Sequence, residues 1–277
     1  MKLREVLYLL GRKPAPQRYG YNVGRCHLPQ EGAVDLARWL HPRETRKSVH
    51  QAEVDELRTF LSRGDVAIDI GAHTGDSTVP MALACGREGT VIALEPNSYV
   101  FPVLEANAAL NTDRTHIIPL MFAATASDGT FQFEYSDAGF CNGGSHEGVS
   151  RWIHGSAFSL PVAGRNLEQV MRSEYSDLLG KLKYIKVDAE GADHAVVASI
   201  AGLLRDYRPF LKVEIFKRTT QEQRVAFLGF LHELGYVMHH VDDDGRYRGD
   251  LLTAENVMRW RHYDAFGVPA EKAVVSR

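Results

Sequence analysis

VAIDIGAHTGDS, residues 66–77, is the stretch on which the fold turns. Residues 66–70 form a short apolar run carrying one acid, Asp69, as in a strand buried on both faces. Gly71 and Gly75 bracket a turn where backbone can approach a ligand closely. A helical pattern follows over 78–85, with Pro80 tolerable in its first turn. Strand, glycine turn and helix in that order open a parallel α/β sheet. Ligands of such sheets sit beyond the carboxyl ends of the strands.

The alternation continues on both sides. Residues 52–61 carry Val54, Leu57, Phe60 and Leu61 at helical spacing. Strands are predicted at 91–94, 116–121, 130–135, 184–187, 210–215 and 236–240, with 247–251 completing the sheet. Helices are predicted at 99–110, 167–172, 192–204 and 221–234, the last stopped by Gly235. The pattern is that of a doubly wound, mostly parallel sheet. A long stretch rich in Gly, His and Ser, 136–156, interrupts it. Residues 1–50 read differently. Candidate helices at 2–10 and 33–40 flank a basic Pro/Gly segment, an N-terminal helical extension or cap ahead of a domain at 51–277.

The chain has 277 residues, which suits one large domain or a domain with an extension. Hydrophobic residues make up 44% and charged residues 24%, which excludes global disorder. The 32 Lys+Arg against 35 Asp+Glu leave a net charge of −3, so no bulk charge draws the chain to nucleic acid or an anionic membrane. No stretch nears the ~20 apolar residues of a membrane span. The apolar run at 6–10 is shorter than the ~7–15 residues of a signal-peptide core. Cys26, Cys85 and Cys141 are odd in number and widely spaced, which points to a reducing compartment. The default expectation is a cytoplasmic protein.

Three strand ends carry acids. The first has Asp69. The second, VIALEPNS at 91–98, delivers Glu95, 20 residues after Gly75. An acid at about that distance binds ribose hydroxyls, because a carboxylate can accept from two vicinal OH groups. The third, YIKVDAEGADH at 184–194, delivers Asp188 and Glu190 and then opens a helix. A dinucleotide fingerprint would place glycine at 71, 73 and 76, but the chain has Gly71, His73 and Asp76. The middle glycine that admits a pyrophosphate is missing, and Asp76 adds negative charge where a phosphate would lie. That disfavours NAD or FAD. It suits a ligand with a ribose, an ammonium, a sulfonium and no phosphate, which describes S-adenosylmethionine.

These motifs, in this order and spacing, resemble the FkbM family of S-adenosylmethionine-dependent methyltransferases. IKVDAEGADH at 185–194 carries most of the likeness, since the family pattern there reads like I-K-x-D-x-E-G-x-E-x. Glu214 in FLKVEIF matches an acid at the end of the next strand. The resemblance implies a Rossmann-like class I methyltransferase fold. Its sheet would have seven strands and end in an antiparallel hairpin. It also implies methylation of a hydroxyl on a sugar, glycan or natural product. Asp69, Gly71, His73 and Gly75 would line the methionine part of the cofactor. Thr74, Asp76 and Ser77 would hold its carboxylate and ammonium. Glu95 would bind the ribose, with Pro96 and Asn97 beside the adenine. Asn111, Ala123 and Ala124 fall where the family's next loops pass the cofactor. Two departures stand out. Arg165-Asn166-Leu167-Glu168 replaces a frequent Leu-Asp pair, and Phe216 stands where the family often has His.

Methyl transfer to oxygen needs alignment of acceptor, methyl carbon and sulfur, and a group to take the hydroxyl proton. The candidates are Asp188, Glu190 and His194, with Glu214 in reserve; Asp188 is favoured by its place at the strand end. Asp188, Glu190, Glu214 and His194 could converge as hard ligands of the kind Mg²⁺ prefers, but no compact metal-spacing motif exists and no metal site is assigned. The loop at 136–156, with Tyr135 and Trp152, would close over the acceptor. Residues 1–50 offer a surface for a homo-oligomer contact. Two other classes remain: a nicotinamide-dependent oxidoreductase, and a non-catalytic binding protein on the same fold. The acids at Asp69, Asp76, Glu95, Asp188, Glu190 and Glu214 are expected at one edge of the sheet, making it suited to a cation.

Overall fold

The computed structural model describes residues 14–141, 143–144, 158–242 and 244–273. The first strands are β1 (Tyr21–Leu28), β2 (Gly32–Trp39), β3 (Val66–Ile70), β4 (Thr90–Leu94), β5 (Ile117–Leu120), β6 (Ala123–Ala124) and β7 (Gly129–Tyr135). They are followed by β8 (Gly143–Gly144), β9 (Phe158–Arg165), β10 (Leu182–Val187), β11 (Phe210–Ile215), β12 (Tyr236–His240) and β13 (Tyr263–Pro269). The described helices begin with α1 (Gln51–Leu57), α2 (Thr78–Cys85), α3 (Phe101–Ala109), α4 (Leu167–Glu174) and α5 (Ser176–Leu179). Then come α6 (Asp193–Ser199), α7 (Ala201–Tyr207), α8 (Gln221–Glu233) and α9 (Ala270–Ala273).

Seven strands form the central sheet in the order β12-β13-β11-β10-β3-β4-β5. All neighbours from β11 to β5 pair in parallel, and β13 runs antiparallel to both β11 and β12. This is the Rossmann-like class I methyltransferase fold. Alternate residues of β3 serve opposite faces. Val66, Ile68 and Ile70 join the core under α4, α6, α7 and α8, and Ala67 joins the core under α1 and α2. Asp69 shares the Ala67 side and is fully buried there.

Several expected elements differ. The segment at 33–40 is not a helix but β2, paired with β1. Val34 and Leu36 are buried while Asp35 between them takes Arg25 of β1 at 2.6 and 2.9 Å, a period of two that a helix would break. The sheet is completed by β13, not by 247–251, where Leu251 makes only an isolated bridge to His239. The helix expected at 192–204 splits at Ile200. There Ser199 Oγ donates back to the Val196 carbonyl at 2.7 Å, and the Gly202 amide goes to Glu168 Oε2 at 3.1 Å. The strand β9 escaped notice because Pro161 and Gly164 break its pattern; it pairs with β7 in a second, four-stranded sheet of order β6-β9-β7-β8. The candidate helix at 2–10 lies outside the described residues.

The hairpin β1–β2 is fastened to α3 and its C-terminal turn by two asparagines. Asn107 exchanges hydrogen bonds with both backbone groups of Ala37 at 2.7 and 3.0 Å, and Asn111 does the same with Asp35 at 2.9 and 2.8 Å. Each side-chain amide thus acts as a stretch of neighbouring strand.

Candidate active site

Strand order reverses beside β3, and open α/β sheets bind ligands at such a point. A cavity of about 1120 Å³ opens there, above the roughly 300–1,000 Å³ of one small-molecule site. It has room for a cofactor and an acceptor together.

The strand ends are drawn together by backbone. Gly71 and Ala72 donate to the Leu94 carbonyl at 3.0 and 2.9 Å, and Asp188 donates to the Ile70 carbonyl at 3.0 Å. Gly71 has φ +79°, and a Cβ there would fall 1.9 Å from the Asp188 carbonyl oxygen. Only glycine allows this crossing of the β3 and β10 ends.

Glu95 lies at the cavity wall beside Pro96 and Asn97. Its Oε2 accepts from the His73 amide at 2.9 Å and its Oε1 from the Asn97 amide at 2.7 Å. Burial pushes its carboxyl up to about 7 against the pull of those two amides. Each oxygen accepts one bond and retains capacity for a second, so the group fits a pair of vicinal hydroxyls. His73 (φ +49°), Gly71, Asp76, Ser77, Ala123 and Ala124 also line the cavity. This donor and acceptor set fits an adenosine with an amino-acid tail.

Asp69, Thr74, Gly75 and Asn111 do not line the cavity. Asp69 accepts from Ser77 Oγ at 2.8 Å, Thr78 Oγ1 at 2.7 Å and Lys186 Nζ at 3.3 Å, all inside the protein. Thr74 donates to Asp76 at 3.1 Å. Asn111 is spent on the hairpin. Their work is to shape the turn and its surroundings.

Lys186 is the residue that reading the acids alone missed. Its ammonium lies 3.3 Å from Asp69 and 3.3 Å from Asp188. Burial disfavours the Lys186 charge, but Asp69 and Asp188 more than compensate and raise its affinity for the proton. Burial likewise pushes the Asp188 carboxyl up, while the Lys186 charge and hydrogen bond bring it below its ordinary value. Asp188 faces the cavity as a held anion. Lys47, Lys186, Lys212 and Arg43 line the same cavity, so cations share the edge at which the acids were expected to gather. Strand alternation puts Lys186 beside Asp69 in register across β10 and β3, which was the available signal.

Glu190 lines the cavity next to Asp188. It has φ +51°, uncommon for a residue with a Cβ. The loop is held there by Asp193, whose two oxygens accept from the Ala189 and Gly191 amides at 2.8 and 2.9 Å. Burial, then the Asp188 charge, raises the Glu190 carboxyl above its ordinary value.

His194 and Glu214 lie off the cavity lining. His194 stacks on Phe227 at 3.8 Å with its Nε2 buried and unpartnered, and burial lowers its pKa to about 4. Glu214 meets Nε2 of His262, a histidine from a distant segment, at 2.6 Å. Burial, then the charges of Asp188, Asp193 and Glu190, pushes the Glu214 carboxyl up to about 9. A raised acid favours its protonated form in the fold, so this stability is present at low pH and lost as pH rises toward 9. The melting temperature of the wild type is expected to fall by several degrees between pH 6 and 9.5. Glu214→Gln is expected to flatten that fall; an unchanged slope in the variant would contradict it.

Among the described residues no group of three or more His, Cys, Asp or Glu is placed to hold a metal ion. No helix among them is long and apolar enough to cross a membrane. Tyr135, Phe131, Phe133 and Cys141 line the cavity, whereas Trp152 and most of the 136–156 loop lie outside the described residues.

A family model described as "Methyltransferase FkbM domain" matches residues 69–238, more than half of the chain. A protein-L-isoaspartate O-methyltransferase of Caenorhabditis elegans is 33% identical over 95 residues, 34% of this chain and 33% of that protein. The chain thus spans about a third of the length of that curated relative. Among solved structures, an FkbM methyltransferase from Methylobacillus flagellatus KT is 11% identical with a TM-score of 0.44, covering 78% of this chain and 50% of that one. Aeropyrum pernix fibrillarin with natively bound S-adenosyl-L-methionine is 12% identical with a TM-score of 0.44, covering 92% of this chain and 97% of that one. With Glu95, Asp188 and Glu190 brought to one cavity and the family domain matched over most of the sheet, the chain belongs to the FkbM methyltransferases and takes S-adenosylmethionine as its cofactor.

Proposed function

We propose that the chain methylates oxygen, on a hydroxyl of a sugar, glycan or natural product, by in-line transfer. Bound S-adenosylmethionine supplies a methyl group on a good leaving group. The chain's own residues must then place the acceptor, exclude water and receive one proton. The observation that carries the reading is Glu190, a cavity-facing carboxyl with raised proton affinity beside an anion, Asp188, that Lys186 keeps charged. A carboxyl held below its ordinary value is a weak base, so Glu190 replaces Asp188 as the proton acceptor. Asp188 orients and stabilises positive charge. The aromatic wall of Phe131, Phe133 and Tyr135 suits the apolar face of a ring. The name of the nematode relative, itself an O-methyltransferase, supports oxygen as the acceptor atom.

A screen of monosaccharides, glycosides and hydroxylated secondary metabolites with methyl-labelled cofactor tests the reading. Label is expected in an ether. On the acceptor so found, Glu190→Gln is expected to lower kcat by about 10²-fold or more, with S-adenosylhomocysteine affinity unchanged. Label only on nitrogen, or turnover within a factor of two in the variant, would refute the respective part.

A further inference from the structure

The family match begins at residue 69, yet part of the cavity wall comes from upstream of it. Glu44 and Lys47, after β2, and Glu53, in α1, line the cavity beside His73, Asp76 and Ser77. An α-amino acid tail needs one cation and one anion near each other. The residues first assigned to it are engaged elsewhere. Ser77 Oγ donates to Asp69, Thr74 Oγ1 donates to Asp76, and Asp69 is fully buried behind Lys186.

Two upstream groups, Lys47 and Glu53, line the same cavity, and both feel the charge of Asp76. Lys47 Nζ lies 3.0 Å from Asp76 Oδ2 and 3.9 Å from Glu44 Oε1. An ammonium has three donors, so Lys47 retains donor capacity for an anion. Among the described residues, the Glu53 carboxylate has no hydrogen-bond or ion-pair partner. Burial raises its pKa to about 7, with Lys212 and Lys186 pulling down and Asp76 and Asp69 pushing up. A half-desolvated carboxyl without a partner gains most from an incoming cation.

We propose that the segment ahead of the family-matched region completes the methionine half of the cofactor site, Lys47 taking the carboxylate and Glu53 the ammonium. The proposal rests on the cofactor assignment and is independent of the acceptor. It makes the segment after the hairpin, and α1, part of the cofactor site.

The experiment is calorimetric titration of the full chain with three thioethers. S-adenosylhomocysteine carries both charges, its decarboxylated analogue carries only the ammonium, and 5′-methylthioadenosine carries neither. Lys47→Met is expected to weaken S-adenosylhomocysteine at least tenfold and to leave the other two within a factor of two. Lys47→Arg is expected to restore most of the loss. Glu53→Gln is expected to weaken the first two at least tenfold and to spare the third. Equal losses on all three ligands, or none on any, would overturn the proposal. Thermal melting of each variant separates misfolding, which weakens every ligand alike, from a lost contact. A wild-type chain that bound none of the three would overturn the cofactor assignment and the proposal together.

Discussion

Replacing Lys186 by methionine is expected to cost about 3–5 kcal/mol of stability, or roughly 6–20 °C in melting temperature. Lys186 is buried, and it is the cation between a fully buried Asp69 and the cavity-facing Asp188. Removing one partner of a buried ion pair leaves an uncompensated charge, and that penalty exceeds the worth of the pair itself. Asp69 would retain the hydroxyls of Ser77 and Thr78 but lose its counter-charge. The double variant Lys186→Met with Asp69→Asn removes the stranded charge, so it is expected to be more stable than Lys186→Met alone. A loss below about 1 kcal/mol in the single variant, by denaturant titration, would show that the charges are solvated and the account wrong.

The second large effect falls on cofactor affinity. Glu95→Ala is expected to weaken S-adenosylhomocysteine by two to four orders of magnitude. Two hydrogen bonds to a charged acceptor are worth about 1.5–3 kcal/mol each, and alanine removes both from the ribose. It also strips the acceptors from the His73 and Asn97 amides, which hold the loop at 2.9 and 2.7 Å. Glu95→Gln separates these effects, because its amide oxygen can still serve one backbone donor. Titration should place Glu95→Gln between the wild type and Glu95→Ala. Equal affinity in all three would remove Glu95 from the ribose site.

Much of the sheet was legible because it is local. The β3 and β11 spans agree with expectation at both ends, since apolar runs bounded by turns read the same in a string and in a fold. The hairpin at 21–39 was not, because Val34 and Leu36 offer too short an alternation to exclude a helix. Tertiary pairing with Arg25 and with α3 settles it. The strand β13 was missed for a related reason. It lies 23 residues beyond the end of β12, and YDAFGVP takes its place only because the open edge of β11 accepts it.

The sequence by itself determined the doubly wound fold, the three acidic strand ends, the family and its cofactor. Each is carried by residues a few positions apart, where spacing is geometry. Tertiary structure alone decided which acids face the cavity. Asp69 and Lys186 are 117 residues apart, yet their contact makes one strand-end acid buried scaffold, and the same lysine makes Asp188 a held anion. Glu190 is exposed to the cavity by the loop that Asp193 ties, and Glu214 is turned away toward His262. Proton affinity depends on burial and on the nearest opposite charge, and both are properties of packing that no linear spacing records.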